Sequence, residues 1–262
     1  MLTFDMSNQY QGYGFSQGLD RGLLVYHDYA LLLEEGMGLG ACALQSEGST
    51  YFASINDIKM VNGSYHARYS FDRKLEVTVF GIKLHLITRM QEYLVKNFYM
   101  NHEKKQDQLL KLGLLFRKFF RVKNCFARVQ SLGEVIISYK LCNNEILVNL
   151  SCKTEKQGNC LYVMNELGSS FFDQSIQDGE ISPPPSGWQK IERPCELYSS
   201  IHRLAFAIVE RNVPNNVRSS IYWGREHMVN HSCWAGFENE IIIESGELEN
   251  YQYSVQFREV AK

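Results

Sequence analysis

The amino-acid sequence predicts a mainly antiparallel β protein. Its 15 Phe and 15 Tyr are an excess of side chains that suit a half-buried pleated surface. Turn-forming clusters recur roughly every 8 to 12 residues, the punctuation of hairpins in sandwiches and barrels. The stretch from Leu75 to Ile87 alternates, with Phe80, Ile82, Leu84 and Leu86 on one face and Gly81, Lys83 and His85 on the other. A chain of 262 residues can bury a core without disulfides. The expected architecture is a large β-sandwich or two β-rich halves joined by a helical middle segment. An open barrel or lipocalin-like arrangement fits the same strand signals, which do not reveal closure.

Residues 1–18 are polar, Gly-rich and aromatic, and are expected along a sheet edge or over its end. Leu23–Tyr26 and Tyr29–Leu33 are apolar runs around His27-Asp28, the pattern of a hairpin. Gly36, Gly38 and Gly40 precede a short apolar run, and Glu47-Gly48-Ser49 forms the next turn. Thr50–Ile55 and Gly63–Phe71 read as strands, with a turn at Phe71-Asp72-Arg73-Lys74. The period then changes: Ile87, Met90, Leu94 and Phe98, and later Leu109, Leu112, Phe116 and Phe119, fall three and four apart on helical faces. This predicts an N-terminal β-rich half over 1–87, a helical connector over 88–122 and a C-terminal β-rich half over 123–262, or one continuous domain.

Beyond the connector, strands are expected over Cys125–Gln130, Glu134–Leu141, Ile146–Lys153 and Leu161–Glu166. Residues 167–187 are the longest irregular piece, ending in three prolines that favour an extended surface crossover. Hairpins are expected around Asn212–Asn216 and Ser245-Gly246-Glu247, linked by Gly224–Gly236.

A formal net charge of −2 gives no electrostatic footprint for nucleic acid. The seven cysteines include no CxxC pair, so a zinc ribbon or a thioredoxin-like motif has no support. The opening MLTFDMSNQYQGYG lacks a basic and then apolar leader, so the expectation is a cytoplasmic protein with reduced thiols. No apolar run is long enough for a transmembrane helix.

Ser219–Glu244 concentrates the chemistry-bearing side chains. Glu226, His227 and His231 give Glu-His-x-x-x-His, which misplaces the glutamate of the His-Glu-x-x-His zinc motif, so no metal site is expected. In an extended chain Tyr222, Glu226 and Trp234 share one parity and Trp223, Arg225, His227 and His231 the other. Histidine titrates near neutrality, and an adjacent carboxylate tunes it for proton transfer. The catalytic candidates are therefore His227, Glu226 and His231; the ligand-binding candidates are Arg225, Tyr222, Trp223 and Trp234.

His27-Asp28 with Glu34 and Glu35 is a second cluster, for which turn chemistry is the simpler account. Gly36, Gly38 and Gly40 do not make a dinucleotide fingerprint. No Ser-His-Asp or Cys-His set can be placed, and Cys233 reads as a buried thiol. The segment 104–123 is basic and amphipathic, able to cap a sheet or to lie on an anionic membrane surface.

The function expected is a pocket for a small carbohydrate-like or hydrophobic ligand, with acid–base chemistry that needs no cofactor. The alternatives are a non-catalytic interaction module and a membrane-surface protein. Replacing His227 by Ala is expected to abolish ligand-induced quenching of tryptophan fluorescence while leaving the far-UV circular dichroism spectrum unchanged.

Overall fold

The computed structural model describes residues 1–6, 18–83, 119, 121, 123–142, 144–228 and 231–260. Every element among them is a strand, nineteen in all: β1 (Leu2–Asp5), β2 (Leu24–His27), β3 (Ala30–Leu31), β4 (Gly38–Ser46), β5 (Ser49–Val61), β6 (Ser64–Val79), β7 (Ile82–Lys83), β8 (Lys123–Arg128), β9 (Gly133–Cys142), β10 (Glu145–Thr154), β11 (Asn159–Gly168), β12 (Gln174–Gln177), β13 (Glu180–Ser182), β14 (Gly187–Lys190), β15 (Cys195–Ser199), β16 (Leu204–Asn212), β17 (Val217–Met228), β18 (His231–Ile243) and β19 (Glu247–Glu259). Strands β1, β2 and β3 make a small sheet. The other 16 form one antiparallel sheet in the order β13-β12-β15-β16-β19-β10-β9-β6-β5-β4-β11-β18-β17-β14, with β7 and β8 paired to β6.

That order is an open path with β13 and β14 at its ends, so the barrel and lipocalin-like alternative is corrected: the described strands do not close. The sheet doubles back instead. Phe206 of β16 meets Phe237 of β18 edge to face at 5.2 Å, and the Tyr253 hydroxyl of β19 donates to Asn165 of β11 at 3.0 Å. The Tyr139 hydroxyl of β9 donates to the Leu39 carbonyl of β4 at 3.0 Å. None of these strands are neighbours in the sheet, so the contacts cross between two layers whose facing sides share one core. The approach is closest at Gly40, where φ is +78° and an added Cβ would lie 2.4 Å from the Tyr139 hydroxyl. Only glycine fits there.

The helical connector of 88–122 and the basic segment of 104–123 fall almost wholly outside the described residues, and no helical element occurs among those described. Among the described residues, no helix is long and apolar enough to cross a membrane. Strands from before and after this segment pair directly, β6 with β9 and β4 with β11.

Several boundaries differ from expectation. The turn predicted at Phe71–Lys74 is replaced by a bulge within β6, at which the pairing with β5 skips Asp72. Asp72 accepts a hydrogen bond from Ser54, and Arg73 donates to Ser54 and lies 3.7 Å from Asp20, so both charges are satisfied sideways without leaving the sheet. The strand predicted over 75–87 breaks instead at Phe80-Gly81, both with positive φ, between β6 and β7. The irregular 167–187 contains the β12–β13 hairpin, turned at Asp178-Gly179. Gly224–Gly236 is not a linker: β17 and β18 continue through it and pair as far as Met228 and His231.

One group of polar side chains buried between the layers forms a connected network. Asn165 is fully buried; its Oδ1 accepts from the Gly40 amide and the Tyr253 hydroxyl, both at 3.0 Å, and its Nδ2 donates to Asn239 at 3.3 Å. Asn239 in turn donates to the Tyr251 hydroxyl, which donates to Glu210. Asn165→Ala strands several of these partners in a dry core, and is expected to lower the unfolding free energy by about 3 kcal/mol in chemical denaturation.

Candidate functional site

Strands β11, β18 and β17 carry two different faces. Val163, Asn165, Phe237, Asn239 and Trp223 point into the core between the layers. The alternate residues form the outer face, and the antiparallel register fixes who sits beside whom. One row across β4, β11, β18, β17 and β14 reads Gly38, Glu166, Gly236, Gly224, Trp188. The next reads Ala41, Met164, Glu238, Tyr222, Lys190, and a third reads Ala43, Tyr162, Glu240, Ser220. Trp234 lies one step beyond Gly236 on the same face, opposite Gly168.

Two glycines, both buried, thus stand between Glu166 on one side and Trp188 on the other. Both are needed where they are. A Cβ on Gly236 would sit 2.3 Å from the Asn165 carbonyl oxygen, and one on Gly224, where φ is +158°, 1.8 Å from that of Gly187. Trp188 is buried and stacks on half-buried Trp234 at 4.3 Å between centroids and 11° between planes. Met37, Ala41, Ala43, Phe52 and Met164 form an apolar cluster on the β4 side. The result is a face edged by carboxyls, indoles and phenols.

The two central carboxyls are not equivalent. Glu166 is 7% exposed; its Oε2 accepts the Met37 amide at 3.1 Å. Arg21, also buried, donates to the Leu19 carbonyl and to Met37 Sδ, both at 3.4 Å, and its charge favours ionised Glu166. Burial outweighs these, with Glu226 adding repulsion, and lifts the Glu166 pKa to about 7. Glu238 receives no hydrogen bond among the described residues. Desolvation first, then the charges of Glu166 and Glu240, lift its pKa to about 8. Its side chain nevertheless keeps some surface open. Tyr162 donates to Glu240 at 3.3 Å, and burial raises its pKa strongly.

Of the residues singled out from the sequence, Tyr222 lies opposite Glu238, Trp234 belongs to the indole pair, and Glu226 is close enough to Glu166 to raise its pKa. Trp223 is 7% exposed and packs in the main core, on the opposite face. Arg225 reaches back to donate to the Asp173 carbonyl at 3.2 Å. His227 and His231 sit at the end of the β17–β18 hairpin, in register with Ser232 and Met228, beyond a break in register between Arg225 and His227. Their side chains are outside the description. Among the described residues no group of three His, Cys, Asp or Glu is placed to hold a metal ion. Cys233 is buried, and its pKa is pushed up to about 12, chiefly by desolvation, far from a reactive thiolate.

Glu166, Glu238 and Trp188 were not anticipated. The signal was present in Phe237-Glu238-Asn239-Glu240, where acids alternate within an otherwise apolar strand. Gly14-Phe15-Ser16-Gln17-Gly18 matches the Gly-x-Ser-x-Gly pattern of a nucleophile elbow. All of it but Gly18 lies outside the described residues, and the described chain after Gly18 continues into β2 rather than a helix.

No protein-family model matches the chain, and no curated protein is significantly similar to it. Among solved structures the chain is similar to a 4-alpha-glucanotransferase from Thermococcus litoralis, with TM-score 0.36, 6% identity, and coverage of 85% of this chain and 27% of that one. An alpha-mannosidase from Enterococcus faecalis V583 gives TM-score 0.41, 7% identity, and coverage of 98% of this chain and 28% of that one. The chain spans little more than a quarter of either, and likenesses this distant do not bear on function.

The raised carboxyls make stability depend on pH with a definite sign. A glutamate whose folded pKa exceeds its unfolded value, 4.5 here, contributes stability that is complete below that value and lost as pH rises through the folded pKa of about 7 or 8. The melting temperature should therefore fall between about pH 5 and about pH 9, and Glu238→Gln should flatten the fall. With screening at the partly open Glu238, the variant should melt roughly 2–4 °C above the parent at the alkaline end and equal it at the acid end, by calorimetry.

Proposed function

We propose that the outer face of β11, β18 and β17 binds a small, hydroxyl-rich, carbohydrate-like ligand and acts on it by acid–base chemistry. The observation that carries this reading is Glu238, a half-enclosed carboxyl with no hydrogen-bond donor among the described residues, set opposite Tyr222 and Met164 and one diagonal step from Glu166. A carboxyl enclosed on most sides is poorly hydrated, and a hydrogen bond from a ligand hydroxyl offsets that loss.

The unequal surroundings assign roles. Glu166, held by the Met37 amide and favoured as the anion by Arg21, is the proton acceptor once pH passes about 7. Glu238, with its pKa of about 8, still carries its proton there and donates it. Diagonal positions on neighbouring strands stand roughly 7–8 Å apart, which leaves room between the two for one ligand hydroxyl or a water. Trp234, stacked on Trp188, supplies an aromatic wall for the apolar face of a sugar ring, and Tyr222 and Glu226 offer further hydrogen bonds at the rim. His227 and His231 stand at the hairpin end next to Glu226 and are retained as candidates for proton transfer.

The test is a titration of neutral monosaccharides and short oligosaccharides followed by tryptophan fluorescence, with turnover followed by proton NMR. At least one sugar should quench the indoles, and Glu238→Ala should weaken its binding about tenfold, a loss of about 1.4 kcal/mol. Glu166→Gln should keep binding and lose roughly 10²–10⁴ in turnover. A panel with no quenching sugar, or a Glu238→Ala variant that binds like the parent, removes the carbohydrate reading and leaves the non-catalytic interaction module. Binding with no turnover by the parent removes only the enzyme.

A further inference from the structure

The small sheet is fastened to the large one by an unusual contact. His27 ends β2 and is 8% exposed; His202 lies in the turn between β15 and β16. Their Nδ1 atoms are 3.4 Å apart and the rings meet edge to face at 5.4 Å between centroids. Two nitrogens at that distance can share only one proton: one ring donates its N–H and the other must present a lone pair. A second proton would face two N–H groups towards each other.

The same histidine touches the turn that borders the candidate site. Phe171 packs on the His202 ring at 5.4 Å, and the amides of Phe171 and Phe172 both donate to the Gly168 carbonyl. Gly168 in turn donates to the Leu32 carbonyl, just after β3, and Ser170 donates to Glu34 through both its amide and its hydroxyl. Ser169 accepts from the Cys233 amide, beside Trp234. The residues between Gly168 and Phe172 are thus clasped from two sides, by β3 and its sequel and by His202.

We infer that His27 and His202 form a proton-operated latch that holds the 168–172 turn against the small sheet at neutral pH and releases it on acidification. The charged groups around the pair set its direction. Asp28 Oδ2 lies 3.8 Å from His27 Nδ1 and is bonded to the amino group of Met1, which dilutes its pull on the rings. Asp173 is occupied by the Ser200 amide and hydroxyl, and Ser199 accepts from the His202 amide, so the β15–β16 turn is braced whatever the charge on the ring. The adjoining Arg203 is a further cation in that turn. Asp28 therefore accommodates one positive charge on the pair, and no described carboxylate is placed to neutralise a second.

Burial, then the neighbouring His27, lowers the pKa of His202, while Asp28 opposes both. A depressed folded pKa contributes stability that is present above the unfolded value of 6.5 and lost as pH falls through the folded one, so the latch opens on the acid side of neutrality. Nothing in this depends on what the outer face binds.

Hydrogen exchange followed by mass spectrometry on the full chain tests the latch directly. Between about pH 7.5 and about pH 5, after correction for intrinsic rates, protection of 24–33 and 168–172 should drop at least about tenfold while β9 and β10 keep theirs. His202→Gln, which keeps a neutral donor and cannot take the second proton, should hold its protection at the acid end. Should that variant fail to fold, NMR titration of the parent's imidazoles decides: two separated titrations support the latch, whereas coincident ones overturn it. Unchanged protection in the parent, or an equal loss in His202→Gln, also overturns it.

Discussion

The structure depends on strands that serve two environments at once. In β11 and β18, one set of alternate residues (Val163, Asn165, Phe237, Asn239) fills the space between the layers, and the other (Glu166, Glu238, Glu240) must then face outward. The pleat allows no compromise, because a slip of one residue would exchange the sets and drive three carboxyls into the core. The register is therefore pinned by the cost of being wrong. The bulges at Met164/Asn165 in the β11–β4 pairing and at Arg225/His227 in β17–β18 are where the strands change course near the outer face.

What that face can do follows from how unevenly its charges are compensated. Glu166 has a backbone donor and a guanidinium within reach; Glu238, one diagonal step away, has neither and carries the repulsion of two neighbouring acids. The same sheet that places them together therefore also separates their affinities for a proton, which is what a donor–acceptor pair needs near neutrality. The glycines at 224 and 236 let the neighbouring strands approach closely, and the Trp188–Trp234 stack lies towards the β14 edge. The arrangement costs stability, since two acids are held where they resist ionisation. Proteins tolerate such strain chiefly where a ligand repays it.

Much of the fold was legible. The turn at Glu47-Gly48 was visible in the sequence, whereas Asn62-Gly63, both with positive φ, closes a hairpin where Gly63 reads as the start of a strand. Asp178-Gly179 is the same signal, hidden by the neighbouring triple proline, and Phe80-Gly81 escaped notice because a phenylalanine stands where Asn or Asp would announce a turn. The doubling back of the sheet could not be read at all: it joins β4 to β11 and β16 to β19 across long stretches of chain, and pattern within one strand carries no information about its partner. For the site, the histidines, arginine and tryptophans of 222–234 are the conspicuous groups in the sequence. Tyr222, Glu226 and Trp234 do lie on or beside the outer face, whereas Trp223 was claimed by the core, for which a large aromatic on the inward parity is the natural filling. Glu166 and Glu238 were missed because each sits in an apolar run that reads as buried strand.

The measurement that bears most directly on this account is a carbon-13 NMR titration of the glutamate side-chain carboxyls, with Glu166 and Glu238 assigned by substitution. The account predicts that Glu166 titrates near 7 and Glu238 near 8, and that Glu166→Gln moves the Glu238 midpoint downward by removing a like charge from its surroundings. Two midpoints at the ordinary glutamate value of about 4.3, indifferent to one another, would mean that the outer face is open water rather than a shared hollow, and the functional reading would fall with it.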